Sequence, residues 1–205
     1  EKVNVIDCLD IVENDDLPTE VIRKKANSPI MKGMDLLRTG EADAFISAGN
    51  SGAVMAAAWF GLPRIAEIDR PAIATLIPSI KSSTVLLDVG ANVDCKPKHL
   101  LHFGVMGAEY AKVVLSIERP QVGILTIGEE EGKGNELVKN AYQYFKNRRD
   151  NLRFEFIGNV EGQDIVDGKV DVVVCDGFTG NALLKFGEGL LEFIKQMLFL
   201  HITDT

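Results

Sequence analysis

Cysteine is scarce in this chain, and it is scattered. Cys8, Cys95 and Cys175 are odd in number, far apart and form no CxxC pair. A disulfide framework and a structural zinc site are therefore excluded as organising principles, and free thiols in a reducing cytoplasm are expected. Positive charge is also in deficit. Lys and Arg number 22 against 30 Asp and Glu, a formal net charge of −8 over 205 residues. An extended nucleic-acid surface normally needs the opposite balance, so no nucleic-acid partner is expected. No apolar run approaches the ~18 residues that a membrane-crossing helix requires, and no signal peptide opens the chain. The two standard glycine fingerprints for nucleotides, GxGxxG and GxxxxGK[ST], are missing as well, and no cofactor is expected.

Short apolar runs alternate with longer helical stretches. Strands are expected at Val3–Ile6, Ala44–Ser47, Ile73–Ile77, Thr84–Asp88, Val122–Ile127, Phe154–Ile157 and Val170–Cys175. Runs such as Val85-Leu86-Leu87 and Val172-Val173-Val174 suit strands buried on both faces, as in parallel sheets. Helices are expected at Pro29–Arg38, with Gly40 as its stop, and at Ala53–Phe60, Pro97–Val114, Asn135–Lys146 and Asn181–Leu200. The pattern predicts one α/β domain over 1–205, a mainly parallel sheet flanked by helices. Glu1 in place of an initiator Met, and an end just after an apolar helix, mark the chain as a possible piece of something longer.

The glycines are the most informative feature. Five expected strands run into Gly- and Asn-bearing corners that lead towards helices: Ser47-Ala48-Gly49-Asn50-Ser51-Gly52, Asp88-Val89-Gly90-Ala91-Asn92, Gly128 to Asn135, Gly158-Asn159-Val160-Glu161 and Asp176-Gly177-Phe178-Thr179-Gly180-Asn181. In an open parallel sheet such corners share the carboxyl edge, where ligands bind. Glycine lets backbone approach a ligand, and helix N-termini offer free N–H groups to an anion. Asn and Ser add neutral donors and acceptors. A cleft for an anion and a carbonyl-bearing group is the implied chemistry.

Within these corners, Lys133 lies between Gly132 and Gly134 and suits a phosphate or oxyanion partner, or else a solvated loop position. Asn181 opens the last helix as a cap or as an amide donor to a developing oxyanion. Asn50, Ser51 and Gly52 cap a helix and can also present donors to phosphate. Asp88, Asn92 and Asp94 lack the third carboxylate of a calcium loop, so Asp88 and Asn92 are read first as loop hydrogen-bonding groups. Gly134, Asn159, Asp176 and Thr179 complete the candidate substrate set. Glu129-Glu130-Glu131 reads as a solvated run. His99 and His102, at helical spacing, have no flanking ligand, and no metal is expected. Cys175 has no His near it in sequence to act as a base, so a buried small residue is the better reading. Arg23, Lys24, Lys25 and Lys32 form the densest basic cluster, a solvated face or a dock for an acidic partner.

Taken together, Asp43 to Gly52, Leu87 to Asp94, Lys133-Gly134-Asn135-Glu136-Leu137, Phe156 to Glu161 and Asp176 to Asn181 closely resemble the bacterial phosphate acyltransferase (PlsX) family, in order along nearly the whole chain. The resemblance implies a phosphotransacetylase- and isocitrate dehydrogenase-like fold. It implies attack of inorganic phosphate on the thioester of acyl-(acyl carrier protein), giving acyl phosphate for phospholipid synthesis. It also implies a homodimer associated peripherally with the membrane. Its motifs place Lys133 and Asn181 in the catalytic positions. The family's opening Asp-Ala-Met-Gly-Gly-Asp and its C-terminal His-Gly-Ser-Ser are not in this chain. Glu129-Glu130-Glu131-Gly132 stands where many members carry Thr-Glu-Asp-Lys, which leaves Lys133 as the lone cation of that loop. Leu190, Leu191, Phe193, Ile194, Met197, Leu198, Phe199 and Leu200 are expected to pack in a core or dimer, with membrane contact as the alternative.

Overall fold

The computed structural model describes residues 3–203. The chain divides into two compact units, the first ending at Pro71 and the second beginning at Ala72, each with its own core; one domain was expected.

The first unit is helical. It holds α1 (Pro18–Lys24), α2 (Pro29–Thr39) and α3 (Ser51–Gly61). Ser28 caps α2, Pro29 fills its first turn, where an N–H has no helical partner, and Gly40 ends it in a left-handed conformation. Val21, Ile30, Met34, Ala53 and Ala57 form the core. The small alanines let α3 lie close to its neighbours.

Neither expected strand of this unit forms. Val3–Ile6 and Ala44–Ser47 carry no regular pairing, and Val3, Val5 and Ile46 are 85%, 91% and 95% exposed. A β-run is stable only with a ladder partner and a covered face; among the described residues neither segment has a ladder partner, and of Ala44–Ser47 only Phe45 packs against the helical core. Helix α1 was not expected, because its seven residues show too little apolar periodicity.

The second unit is a five-stranded sheet with helices on both faces. Its elements are β1 (Ala74–Pro78), β2 (Ser83–Leu87), α4 (Pro97–Val114), β3 (Gln121–Leu125), α5 (Glu136–Lys146), β4 (Glu155–Val160), α6 (Gly162–Asp167), β5 (Val172–Val174) and α7 (Gly177–Thr203). The strand order is β1-β2-β5-β3-β4. Only β1 runs antiparallel, paired with β2; β2–β5, β5–β3 and β3–β4 are parallel.

Alternation along the strands explains the unbroken apolar runs. Val85, Leu87, Val172 and Val174 face one core, with Leu100, Phe103, Ala108, Ala141 and Phe145 from α4 and α5. Leu86 and Val173 face the other, with Ile165 of α6 and Leu183 and Leu184 of α7. Both faces are covered, so Val85-Leu86-Leu87 of β2 and all of β5 are apolar without a break. Each fully buried large side chain in these cores contributes about 1.5–3 kcal/mol. Phe145 stacks on Phe156 at 4.6 Å between ring centroids.

Candidate functional site

Three adjacent parallel strands, β2, β5 and β3, end side by side. Their loops are the Asp88–Asn92 corner, the Asp176–Asn181 corner and the Gly128–Asn135 loop, which therefore meet at one edge of the sheet.

Asp88 organises the first corner. Its side chain is fully buried. Oδ1 accepts from the N–H groups of Ile73 (3.0 Å) and Ala91 (3.1 Å), and Oδ2 from the Asn92 N–H (2.6 Å) and Nδ2 (2.8 Å). Four donors occupy this carboxylate, so it holds the loop in shape. Asn92 is buried with it. Of the two roles open to this pair, the geometry supplies the loop-building one.

The second corner locks onto the first. The Gly177 N–H donates to the Asn92 carbonyl at 2.7 Å. A Cβ on Gly180 would sit 2.0 Å from the Asp88 carbonyl oxygen, so α7 approaches this close only because residue 180 has no side chain. Asp176 caps α7: its Oδ1 accepts the Thr179 N–H at 2.9 Å and its Oδ2 the Thr179 hydroxyl at 2.8 Å. Asn181 is exposed and lies against Gly90, its Oδ1 3.8 Å from where a Gly90 Cβ would stand. Cys175 is buried at the end of β5. Burial first, then the nearby Asp176 and Asp88 carboxylates, push its thiol far above the ordinary range, so it is not a thiolate nucleophile.

The third corner carries Lys133. The Lys133 N–H donates to the Glu130 carbonyl at 2.9 Å, and its Cγ lies 3.0 Å from where a Gly128 Cβ would stand. The ammonium is exposed and forms no ion pair among the described residues. Gly134 has φ +94°, and a Cβ there would meet the Thr126 Oγ1 and Val138 Cγ1 at 2.7 Å. Asn135 caps α5 through the Val138 N–H at 2.9 Å. Asn159, at the end of β4, is buried and donates to the Glu130 carbonyl at 2.8 Å. The expected solvated run is partly anchored: Glu131 pairs with Lys146 at 3.0 Å, and that ammonium, with Gln143, holds the carboxyl below its usual range.

A cavity of about 460 Å³ opens where the second and third corners meet. Leu100, Leu125, Leu137 and Val138 supply apolar walls, and Asn135, Asp176 and Thr179 supply polar groups. Gly134, Asp176 and Thr179, expected from the sequence, thus share one hollow. Lys133 and Asn181 do not line it, but each stands within two residues of one that does. Thr126, Leu137 and Val138 were not among the expected site residues; Leu137 and Val138 also pack against the core under α4 and α5.

The other expected residues have local roles. In the first unit, Asn50 accepts the Ala53 N–H at 2.9 Å and donates to the carbonyls of Glu13, Asn14 and Asp16, so both ends of its amide are engaged. Ser51 is exposed at the start of α3, and Gly52 packs tightly on Pro18. Of the basic cluster, Lys24 pairs with Glu20 at 2.7 Å, and Lys25 pairs with Asp16 and donates to the Ile11 carbonyl. Lys32 is half-buried, and Arg23 is exposed. His99 is buried, its Nδ1 accepting the Lys96 N–H at 3.1 Å at the start of α4. Among the described residues, no group of three or more His, Cys, Asp or Glu gathers around a common point.

The apolar end of α7 does not pack in a core within the chain, one of the two kinds of packing expected of it. From Glu188 to Leu200 every residue is exposed, Leu191 at 65% and Phe199 at 66%. No core among the described residues covers them. Nor is any helix among the described residues long and apolar enough to cross a membrane.

Comparison with known proteins agrees with this architecture. The chain is similar to phosphate acyltransferases of Syntrophotalea carbinolica (57% identical over 189 residues, covering 92% of this chain and 53% of that one), Pelotomaculum thermopropionicum (54% over 188, 92% and 54%) and Nitratiruptor sp. (47% over 205, 100% and 60%). It thus spans between half and two thirds of the length of these relatives. In three dimensions it is similar to the EutD phosphotransacetylase of Staphylococcus aureus, with a TM-score of 0.59 at 16% identity over 84% of this chain and 62% of that one. It is also similar to a branched-chain phosphotransacylase of Enterococcus faecalis, with a TM-score of 0.51 at 16% identity over 76% and 62%. The phosphotransacetylase-like fold expected from the resemblance is thereby established. A family profile described as "Fatty acid synthesis protein" matches residues 1–205 in full, and the chain belongs to that family.

Proposed function

We propose that this chain carries the catalytic site of a phosphate acyltransferase, which moves a fatty acyl group from acyl carrier protein to inorganic phosphate and releases acyl phosphate for phospholipid synthesis. The observation that carries the reading is the shared cavity. It has apolar walls for an acyl group and polar groups from two helix starts, and it lies beside an exposed lysine and an exposed asparagine. The relatives' name agrees with it.

The chemistry needs no covalent intermediate. A phosphate oxygen attacks the thioester carbon, the C–O bond forms, the C–S bond breaks, and the electron pair leaves on sulfur. A thiol with a pKa near 8.5 departs readily as thiolate and takes its proton from solvent. The protein's task is to hold two reactants together and to stabilise the negative oxygen. Lys133 offsets the charge of phosphate as it approaches the α5 start, where Gly134 leaves room. Asn181 donates its amide N–H to the thioester carbonyl oxygen as charge develops there.

The intact protein with acyl carrier protein thioester and phosphate should release acyl phosphate, measured as the hydroxamate. Lys133→Ala and Asn181→Ala should each lower turnover about 10²–10³-fold. Near-normal turnover in Lys133→Ala refutes its assignment. Equal or faster turnover of coenzyme A thioesters reassigns the acyl donor. Partner binding without any turnover favours a non-catalytic scaffold. The exposed end of α7 supports a homodimer, with peripheral association at the inner face of the membrane of a cytoplasmic enzyme as its alternative use. Light scattering, and liposome flotation with and without the segment after Gly189, separate the two. Arg23 and Lys32 remain the candidate contacts for an acidic carrier protein.

A further inference from the structure

We infer that Asn159 is a positioning residue for Lys133, acting through one backbone carbonyl and not through contact with phosphate. The inference rests on the role given to Lys133 above. The Glu130 carbonyl oxygen accepts two hydrogen bonds at once, from Asn159 Nδ2 at 2.8 Å and from the Lys133 N–H at 2.9 Å. The two donors differ in kind. Lys133 belongs to an exposed loop, whereas Asn159 is 7% exposed and sits in β4, paired in parallel register with Ile124 of β3. One end of this link is therefore fixed to the sheet, and the other is the turn that presents the cation.

The direction of the amide follows from its partner. A carbonyl accepts and cannot donate, so the Asn159 nitrogen must face Glu130. Its Oδ1 is buried, with no protein hydrogen-bond partner among the described residues. The hydrogen bond that the side chain makes is thus the one to the loop. The Lys133 stem passes close to Gly128, its Cγ 3.0 Å from where a Cβ there would stand. The shared Glu130 carbonyl thus sets the backbone of the turn that carries the ammonium.

The test uses the intact protein. Asn159→Leu removes both polar ends at similar volume, and Asn159→Asp keeps an acceptor while removing the donor; calorimetry identifies which of them folds. The expected result is a fall of about tenfold in kcat/KM for phosphate, the scale of one lost hydrogen bond, with the KM for the acyl thioester changed less than about twofold. In a Lys133→Ala background the same substitution should add less than about twofold, because the group it positions is gone. Hydrogen exchange at the Lys133 amide should accelerate at least about fivefold in the Asn159 variant, a readout that needs no turnover. An unchanged exchange rate, or a further tenfold loss on top of Lys133→Ala, overturns the inference. Turnover of the unaltered protein tests the acyltransferase reading separately.

Discussion

Replacing Asp88 by alanine tests how the candidate site is built. The carboxylate collects four donors in a wholly buried place: the backbone N–H groups of Ile73, Ala91 and Asn92 and the Asn92 amide. Hydrogen bonds to a charged group contribute roughly 1.5–3 kcal/mol each, and a buried donor left without a partner costs about 1–3 kcal/mol. Ile73 and Ala91 are half-exposed, so water can replace the acceptor for them. Asn92 cannot be rescued in this way as readily, and it contributes two of the four bonds. The net loss is then about 4 kcal/mol, a large part of the ~5–15 kcal/mol that holds a domain together. At roughly 2–4 °C per kcal/mol for a chain of this size, the melting temperature should fall by about 8–16 °C. Calorimetry and urea titration of the intact protein measure both quantities. Turnover should fall even where the variant is folded, because Asn92 holds the start of α7 through Gly177. A stability loss below about 1 kcal/mol, with turnover intact, refutes this account of the corner.

Three further outcomes follow from other parts of the structure. Gly134→Ala forces a side chain into a left-handed residue against Thr126 and Val138, and should cost about 1–3 kcal/mol and slow turnover, seen in urea titration beside initial rates. The Asp164 carboxyl is held below its ordinary range: burial pushes it up, but the Lys169 ammonium at 2.7 Å and the Glu161 N–H at 2.8 Å outweigh that. Its contribution is therefore present above the unfolded value near ~3.9 and is lost as pH falls through the lower folded value, so the urea midpoints of the unaltered protein and Asp164→Asn should converge below about pH 4. Cys175 should resist alkylation at about pH 8 until the protein unfolds, and Cys175→Ala should keep most of its turnover; a fast-reacting folded thiol would contradict its burial.

Much of the second unit was readable in advance, and the reasons are local. Helix α4 spans Pro97–Val114 as expected, because proline marks its start and apolar residues recur along its length. The β2 and β5 runs announced two-sided burial. Helices α1 and α6 are too short to show periodicity, and they were missed. Val3–Ile6 and Ala44–Ser47 have strand composition, but a ladder depends on a partner that composition cannot name. At the candidate site, the glycine corners stood out as turns beside helix starts. Which corners become neighbours depends on the order β2-β5-β3, a property of the whole sheet. The double use of the Glu130 carbonyl leaves no trace in sequence, since any residue at 130 supplies that oxygen.

The contact between residue 180 and the Asp88 carbonyl also constrains how this protein can change. With 2.0 Å between that oxygen and the place a methyl group would take, no side chain can be introduced at 180 while the neighbouring corner keeps its shape. Substitutions at 88, 177 and 180 should therefore be strongly epistatic: their measured effects will not sum, and a tolerated change at one position will depend on what already occupies the others.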